Sequence, residues 1–195
     1  SIPAGEYTLF IDLAPNDNLG AAVALSMGAS TVLCGAPLAN LGLTTDAGAT
    51  WTDSSAGLPA PQFRGRIGID ISQSNPQVLY AFVDNYEIGR MAKPGQNDAY
   101  GRPMPEGRGF IKGADVYRSD DGGKSWRQTS RQDTAMTNYL NNNQSGTYGW
   151  VFGQIRVDPT NPDTIWILGV PLSKSTDGGK TFAAIGGMHG DHHGL

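Results

Sequence analysis

Apolar and polar positions along this chain change over in short runs and rarely fall at the i, i+3, i+4 spacing of a helix. β-rich runs stand at Tyr7–Leu13, Thr31–Cys34, Arg66–Ile71, Val78–Val83, Val116–Arg118, Gln154–Val157 and Thr164–Leu168. Gly, Pro, Asn or Asp bounds each of them. Many short strands with regular turn punctuation predict an all-β fold: a sandwich, a barrel or a propeller. Periodicity alone does not choose among these.

An internal repeat does. The pattern Ser/Thr-x-Asp-x-Gly-x-Ser/Thr-aromatic occurs as Thr44 to Trp51 (Thr44, Asp46, Gly48, Trp51), as Ser119 to Trp126 (Ser119, Asp121, Gly123, Trp126) and as Ser175 to Phe182 (Ser175, Asp177, Gly179, Phe182). A strand, Asn-Pro turn, strand element precedes two of the copies, with Asn75-Pro76 and Asn161-Pro162 at the turns. Hydroxyl and carboxylate groups in such a box bond backbone N–H groups of their own loop. Glycine supplies positive φ without steric cost, and the aromatic residue starts an outgoing strand that buries it. The acids of the boxes therefore read as architecture, not catalysis.

These octapeptides resemble the Asp-box, or BNR repeat, of sialidases, xyloglucanases and sortilin-type receptors. From about residue 30 onward, the order of Gly65-Arg66-Ile67-Gly68, the Asn-Pro turns, the last two boxes and His189-Gly190-Asp191-His192-His193 is similar to large bacterial sortilin-like proteins, often labelled glycosyl hydrolases. In those families the box joins the outer two strands of a propeller blade, remote from the ligand site at the hub. The resemblance implies that residues 1–195 are one segment of a partial β-propeller of about four blades, at ~45 residues each. The blades expected are 21–53, 66–129 with an insertion at 84–113, and 154–184, with 185–195 starting a further blade. Related propellers close with six or more blades. The rest of a larger chain, or a second chain, is therefore an expected partner, and an open blade edge invites association.

Composition narrows the function. The chain has 195 residues, 27 Gly, 12 Pro, one Cys and a net charge of −4. A hydrophobic fraction of 38% with four Trp supports a packed core over disorder. A mild acidic excess without a Lys/Arg cluster disfavours nucleic acid. No apolar run approaches the ~20 residues of a membrane helix, and no basic, apolar leader opens the sequence. Cys34 cannot form an internal disulfide and reads as a small buried residue.

Candidate chemistry is sparse. His189, Asp191, His192 and His193 include every histidine of the chain. Their spacing is not a strong zinc signature; a ligand contact at the inner edge of a blade and a plain tail or turn are the other readings. Asp84 and Glu87 are the nearest sequence-local pair of acids for glycosidase work, although Asp84-Asn85 equally caps a turn. Arg66 sits where an inner strand would meet a sugar or carboxylate, or a neighbouring blade. Phe63-Arg64-Gly65-Arg66 departs from the Phe/Tyr-Arg-Ile-Pro of sialidases. The long segments Asp84–Gly113 and Arg131–Tyr148 read as loops. The first is either a solvated excursion or a rim element over an anionic or sugar ligand. Asn143-Gln144-Ser145 matches an N-glycosylation acceptor.

The expected function is ligand recognition by a sortilin-like propeller segment, with a glycan or a protein as ligand and no cofactor or metal. Secreted or periplasmic placement is implied by the resemblance only. A fragment of a glycoside hydrolase and a structural assembly subunit are the alternatives.

Overall fold

The computed structural model describes the backbone of Ala22–Met27, Ser30–Gly35 and Asn40–Thr44, and residues 52–97, 101–147 and 152–194, with side chains from Asp53 onward. Three four-stranded antiparallel sheets follow one another along the chain. The first comprises β1 (Ala22–Met27), β2 (Ser30–Gly35), β3 (Asn40–Thr44) and β4 (Thr52–Asp53). The second comprises β5 (Arg64–Ile71), β6 (Leu79–Met91), β7 (Gly109–Ser119) and β8 (Arg127–Gln128). The third comprises β9 (Gln154–Val157), β10 (Ile165–Leu168), β11 (Leu172–Ser175) and β12 (Ala183–Ile185). In every sheet, sequence neighbours are spatial neighbours. Repeated meanders of this kind are propeller-like.

The run Leu79-Tyr80-Ala81-Phe82-Val83 is buried throughout because both faces of the second sheet are covered. One face sends Tyr80, Phe82, Ala114 and Val116 against Ile155, Val157, Ile165, Ile167 and Phe182 of the third sheet. The other sends Leu79, Ala81, Val83 and Tyr117 against Trp126 and Leu58. A strand covered on both sides reads as a continuous apolar run, not an alternation.

Hydrogen bonds join the second and third sheets. The Val157 N–H donates to Asp70 Oδ2 at 2.7 Å, and the Tyr80 hydroxyl donates to the Pro162 carbonyl at 2.9 Å. Arg118 Nη1 reaches both the Tyr80 hydroxyl and Asp163. The strands β5 and β9 pack side by side. A Cβ on Gly68 would lie 2.2 Å from the Gly153 carbonyl oxygen, so this approach requires glycine.

Two expected loops are ordered elements. The segment 84–113 is no structureless insertion: β6 runs on to Met91 and β7 begins at Gly109, forming a two-stranded arm. Register shifts between Asn85 and Arg90 break the alternation that would have marked it as strand. The Arg131–Tyr148 segment contains helix α1 (Thr134–Asn143) and a short 3-10 turn at Ser145–Thr147. Asp133 caps α1 by accepting the Met136 N–H at 2.9 Å. Leu140 is buried in the core, with Met136 and Tyr139 packed against it. The expected start of a new blade after residue 185 carries no strand among the described residues; Asp191 and His192 instead donate backbone N–H groups to Val170 and Gly169. The run Tyr7–Leu13 and the box residues Asp46, Gly48 and Trp51 lie outside the described residues, while Thr44 ends β3.

Candidate functional site

The two described boxes are built alike. In each, a serine hydroxyl donates to the aspartate and accepts a glycine N–H: Ser119 to Asp121 at 2.7 Å and from Gly123 at 2.9 Å, Ser175 to Asp177 at 2.8 Å and from Gly179 at 3.0 Å. The aspartate then accepts the backbone N–H and the hydroxyl of Ser125 or Thr181. Gly123 and Gly179 hold φ of 88° and 82°. Trp126 and Phe182 are both 5% exposed. The Trp126 indole donates to the Ser54 carbonyl at 2.7 Å. Desolvation opposes it, but bonds from Ser125 and Ser119 hold the Asp121 carboxyl down to about 2. The Asp177 carboxyl is lowered in the same way by Thr181 and Ser175. Carboxylates engaged so completely close turns.

The boxes lie between β7 and β8 and between β11 and β12. They sit at one end of the sheets: Ser119 pairs with Leu79 and Ser175 with Ile165. The opposite end, about 17 Å away at ~3.3 Å per residue, gathers the remaining polar groups. Asp84, 2% exposed, accepts the Ser145 hydroxyl at 2.5 Å. Burial pushes its carboxyl up, and the Ser145 and Tyr86 hydroxyls pull it back part of the way. Asn141 Oδ1 accepts the Ala114 N–H at 3.0 Å. Gln144 Nε2 donates to the Ser173 hydroxyl at 2.9 Å, and that hydroxyl also bonds the Tyr139 hydroxyl at 2.9 Å. Helix α1 and its following turn thus bridge the second sheet at Asp84 to the third at Ser173.

A second polar group occupies the other face at the arm's root. Asp115 accepts from Asn85 Nδ2 at 3.1 Å and Gln128 Nε2 at 2.7 Å. Burial raises its carboxyl against the pull of Asn85, Lys112 and Gln128. Burial and the Asp115 charge also raise the Tyr117 hydroxyl. Glu87 pairs with Lys112 at 2.7 Å. The expected acid pair is therefore not assembled: Asp84 is taken up by Ser145, whereas Glu87 lies with Lys112 and acts on Asp115 and Tyr117.

The remaining candidates are dispersed. Arg66 is half-buried in the irregular stretch of β5 between Arg64 and Ile67. His189 is exposed, with Nδ1 against the Gly190 carbonyl at 2.7 Å. Asp191 takes a φ of 68°. His192 Nδ1 lies 3.2 Å from the Gly169 carbonyl, and the His193 ring is tilted over Phe152 at 4.6 Å. Among the described residues, no three His, Cys, Asp or Glu gather as a metal would need. Ser145 of the glycosylation tripeptide is committed to Asp84, and Asn143 Nδ2 donates to the Tyr139 carbonyl. Sequence reading did not single out Asp70, Asp115 or Asn141, and it took Ser145 only as part of a glycosylation tripeptide. A detectable signal existed for the first two: each is an acid between apolar residues of a strand, in Ile69-Asp70-Ile71 and Ala114-Asp115-Val116.

The chain is thus a propeller-like repeat of four-stranded meanders with box turns between the last two strands of its second and third sheets. The family model for the BNR/Asp-box repeat matches residues 117–128. No curated protein matches the chain. Among solved structures, the chain is similar to one described as "YCF48 bound to D1 peptide", at 13% identity and a TM-score of 0.28. That likeness covers 82% of this chain, which spans 64% of the other.

Proposed function

We propose that the chain is a ligand-recognition segment of about four blades within a larger Asp-box propeller, working outside the cytoplasm and taking a glycan or a protein at the strand ends opposite the boxes. The observation that supports this reading is how the carboxylates are already used. Asp121 and Asp177 close their own turns, Asp70 holds Val157, Asp84 holds Ser145, and Asp115 sits between Asn85 and Gln128. A glycosidase needs two carboxyl groups about 5–10 Å apart facing one sugar, and these acids face strands, a helix and turns instead. What the strand ends offer a ligand is a shaped surface: the arm, the outer side of α1, and His193 over Phe152.

A glycan array combined with a reducing-sugar assay on the bound glycans tests the proposal. Binding without sugar release is expected. Sugar release that disappears in Asp84→Asn or Asp115→Asn would replace recognition with hydrolysis.

A further inference from the structure

We propose that the β6–β7 arm is a docking ribbon for an acidic, extended segment of a partner protein; this rests on the recognition reading above and names the class of partner. β5 pairs with β6 only as far as Asn85, and β8 pairs with β7 only at Tyr117 and Arg118. Past Val116 and Ala114, whose outer backbone groups bond Thr129, Ser130 and Asn141, the described strand residues of the arm pair with each other. Each strand therefore carries an outer edge of backbone donors and acceptors, and an extended peptide adds to such an edge as a further strand.

The ribbon is held in shape before any partner arrives. Arg90 lies over the Phe110 ring at 3.8 Å, and Lys112 pairs with Glu87 at 2.7 Å. The Ile88 side chain covers Gly109, where an added Cβ would come within 2.8 Å of Ile88 Cδ1. Ordering that is already complete does not have to be supplied on binding.

Its surface has a specific chemistry. Ile88 and Met91 are 52% and 55% exposed, two of the three large apolar side chains so exposed among the described residues. From Tyr86 to Lys112 the sequence carries Arg90, Lys93, Arg102, Arg108 and Lys112 against Glu87, Asp98 and Glu106, a net +2; in a chain of net −4 the remainder is −6. The arm is thus a net-cationic ribbon with apolar contacts, whereas the other described residues, 52–85, 113–147 and 152–194, sum to −2. That contrast selects the occupant. A membrane surface or a long polyanion would also face this net-negative remainder, which repels it. A short acidic segment meets the arm alone, because charges beyond ~8 Å are screened at physiological salt. Alternating acidic and apolar residues would match both the cations and the exposed Ile88 and Met91.

The experiment uses the whole chain and a labelled peptide of alternating Glu and Val, read by fluorescence anisotropy, with oligoglutamate and phosphatidylcholine vesicles containing phosphatidylserine as competing probes. The peptide should bind, more weakly as salt is raised. The double variants Lys93→Glu/Arg108→Glu and Ile88→Ser/Met91→Ser should each weaken it about tenfold. Oligoglutamate should bind less well than the peptide, and hydrogen exchange should slow along an arm strand. If a double variant does not fold, Lys93→Glu alone, in the exposed turn closed by the Gln96 N–H on the Lys93 carbonyl, should show a smaller loss in the same direction. Absence of peptide binding, binding unchanged in the arm variants, or arm-dependent vesicle binding without peptide binding would each overturn the proposal. A glycan or protein ligand held independently of the arm would sink this inference and leave the recognition reading standing.

Discussion

Asp120 and Asp121 are adjacent in the chain and do different work. Asp120 faces solvent and meets Arg127 at 2.8 Å in an open surface pair and the more buried Arg118 at 2.7 Å, which keeps a second carboxylate in Asp163. Such pairs contribute little because water screens them and long side chains lose freedom. Asp121 instead accepts three donors from its own turn: the Ser119 hydroxyl, the Ser125 N–H and the Ser125 hydroxyl. Removing it leaves those donors without their acceptor inside a tight loop. Asp121→Ala should therefore cost about 1–3 kcal/mol, while Asp120→Ala should cost less than about 1 kcal/mol. Urea unfolding of both variants measures this, and equal losses would show that the box is not a structural staple. Gly179→Ala should be destabilising on two counts: φ is 82°, and the new Cβ would meet Thr129 Oγ1 at 2.8 Å.

At the scale of elements, α1 is tied down by side-chain bonds more than by its own apolar face. Leu140 is its one buried apolar side chain. The rest of its anchoring runs through Asn141 to Ala114, Tyr139 and Gln144 to Ser173, and Ser145 to Asp84. Ser145→Ala leaves the buried Asp84 short of a donor, at a cost of about 1–3 kcal/mol. Amide exchange should quicken across α1 while β10 and β11 stay protected. Uniform quickening of all three would mean that α1 and the sheets unfold as one unit. This anchoring also explains which elements could be read from sequence. Strands β5, β9 and β10 and the inner parts of β6 and β7 announced themselves through apolar runs and Asn-Pro turns, and the boxes through their Ser, Asp and Gly spacing. Helix α1 did not, because Thr134-Ala135-Met136-Thr137-Asn138-Tyr139-Leu140-Asn141-Asn142-Asn143 has too few apolar positions to show a helical stripe. The arm was hidden by its register shifts and glycines. The cluster around Asp84 is assembled from residues as far apart in sequence as Asp84 and Ser145, and no local pattern encodes that meeting.

Across the whole molecule, two sets of acids pull the pH dependence of stability in opposite directions. Asp121, Asp177 and Asp120 are held below their ordinary values by hydrogen bonds and ion pairs. Their contribution is present above the unfolded carboxylate value near 4 and is lost as pH falls through their lowered folded values, about 2 for Asp121. Asp70, Asp84 and Asp115 are raised by burial, Asp70 to about 6. A group that binds its proton more tightly when folded contributes stability that is full below about 4 and lost as pH rises through its folded value. The two slopes meet between them. The chain should therefore be most stable near pH 4–5 and lose stability on going to neutrality. The limb between about pH 4 and 6 belongs mainly to Asp70, whose carboxylate sits between the sheets on the Val157 N–H with Arg156 nearby to offset part of the desolvation. Asp70→Asn removes the titration and keeps an oxygen for the Val157 N–H, so its urea midpoint should change less across this range than that of the parent chain. Midpoints measured from about pH 3 to 8 on both proteins decide the matter. A parent chain whose midpoint climbs steadily to neutrality, in parallel with the variant, would mean that Asp70 is ionised at little cost and that the joint between the second and third sheets is wetter than its packing implies.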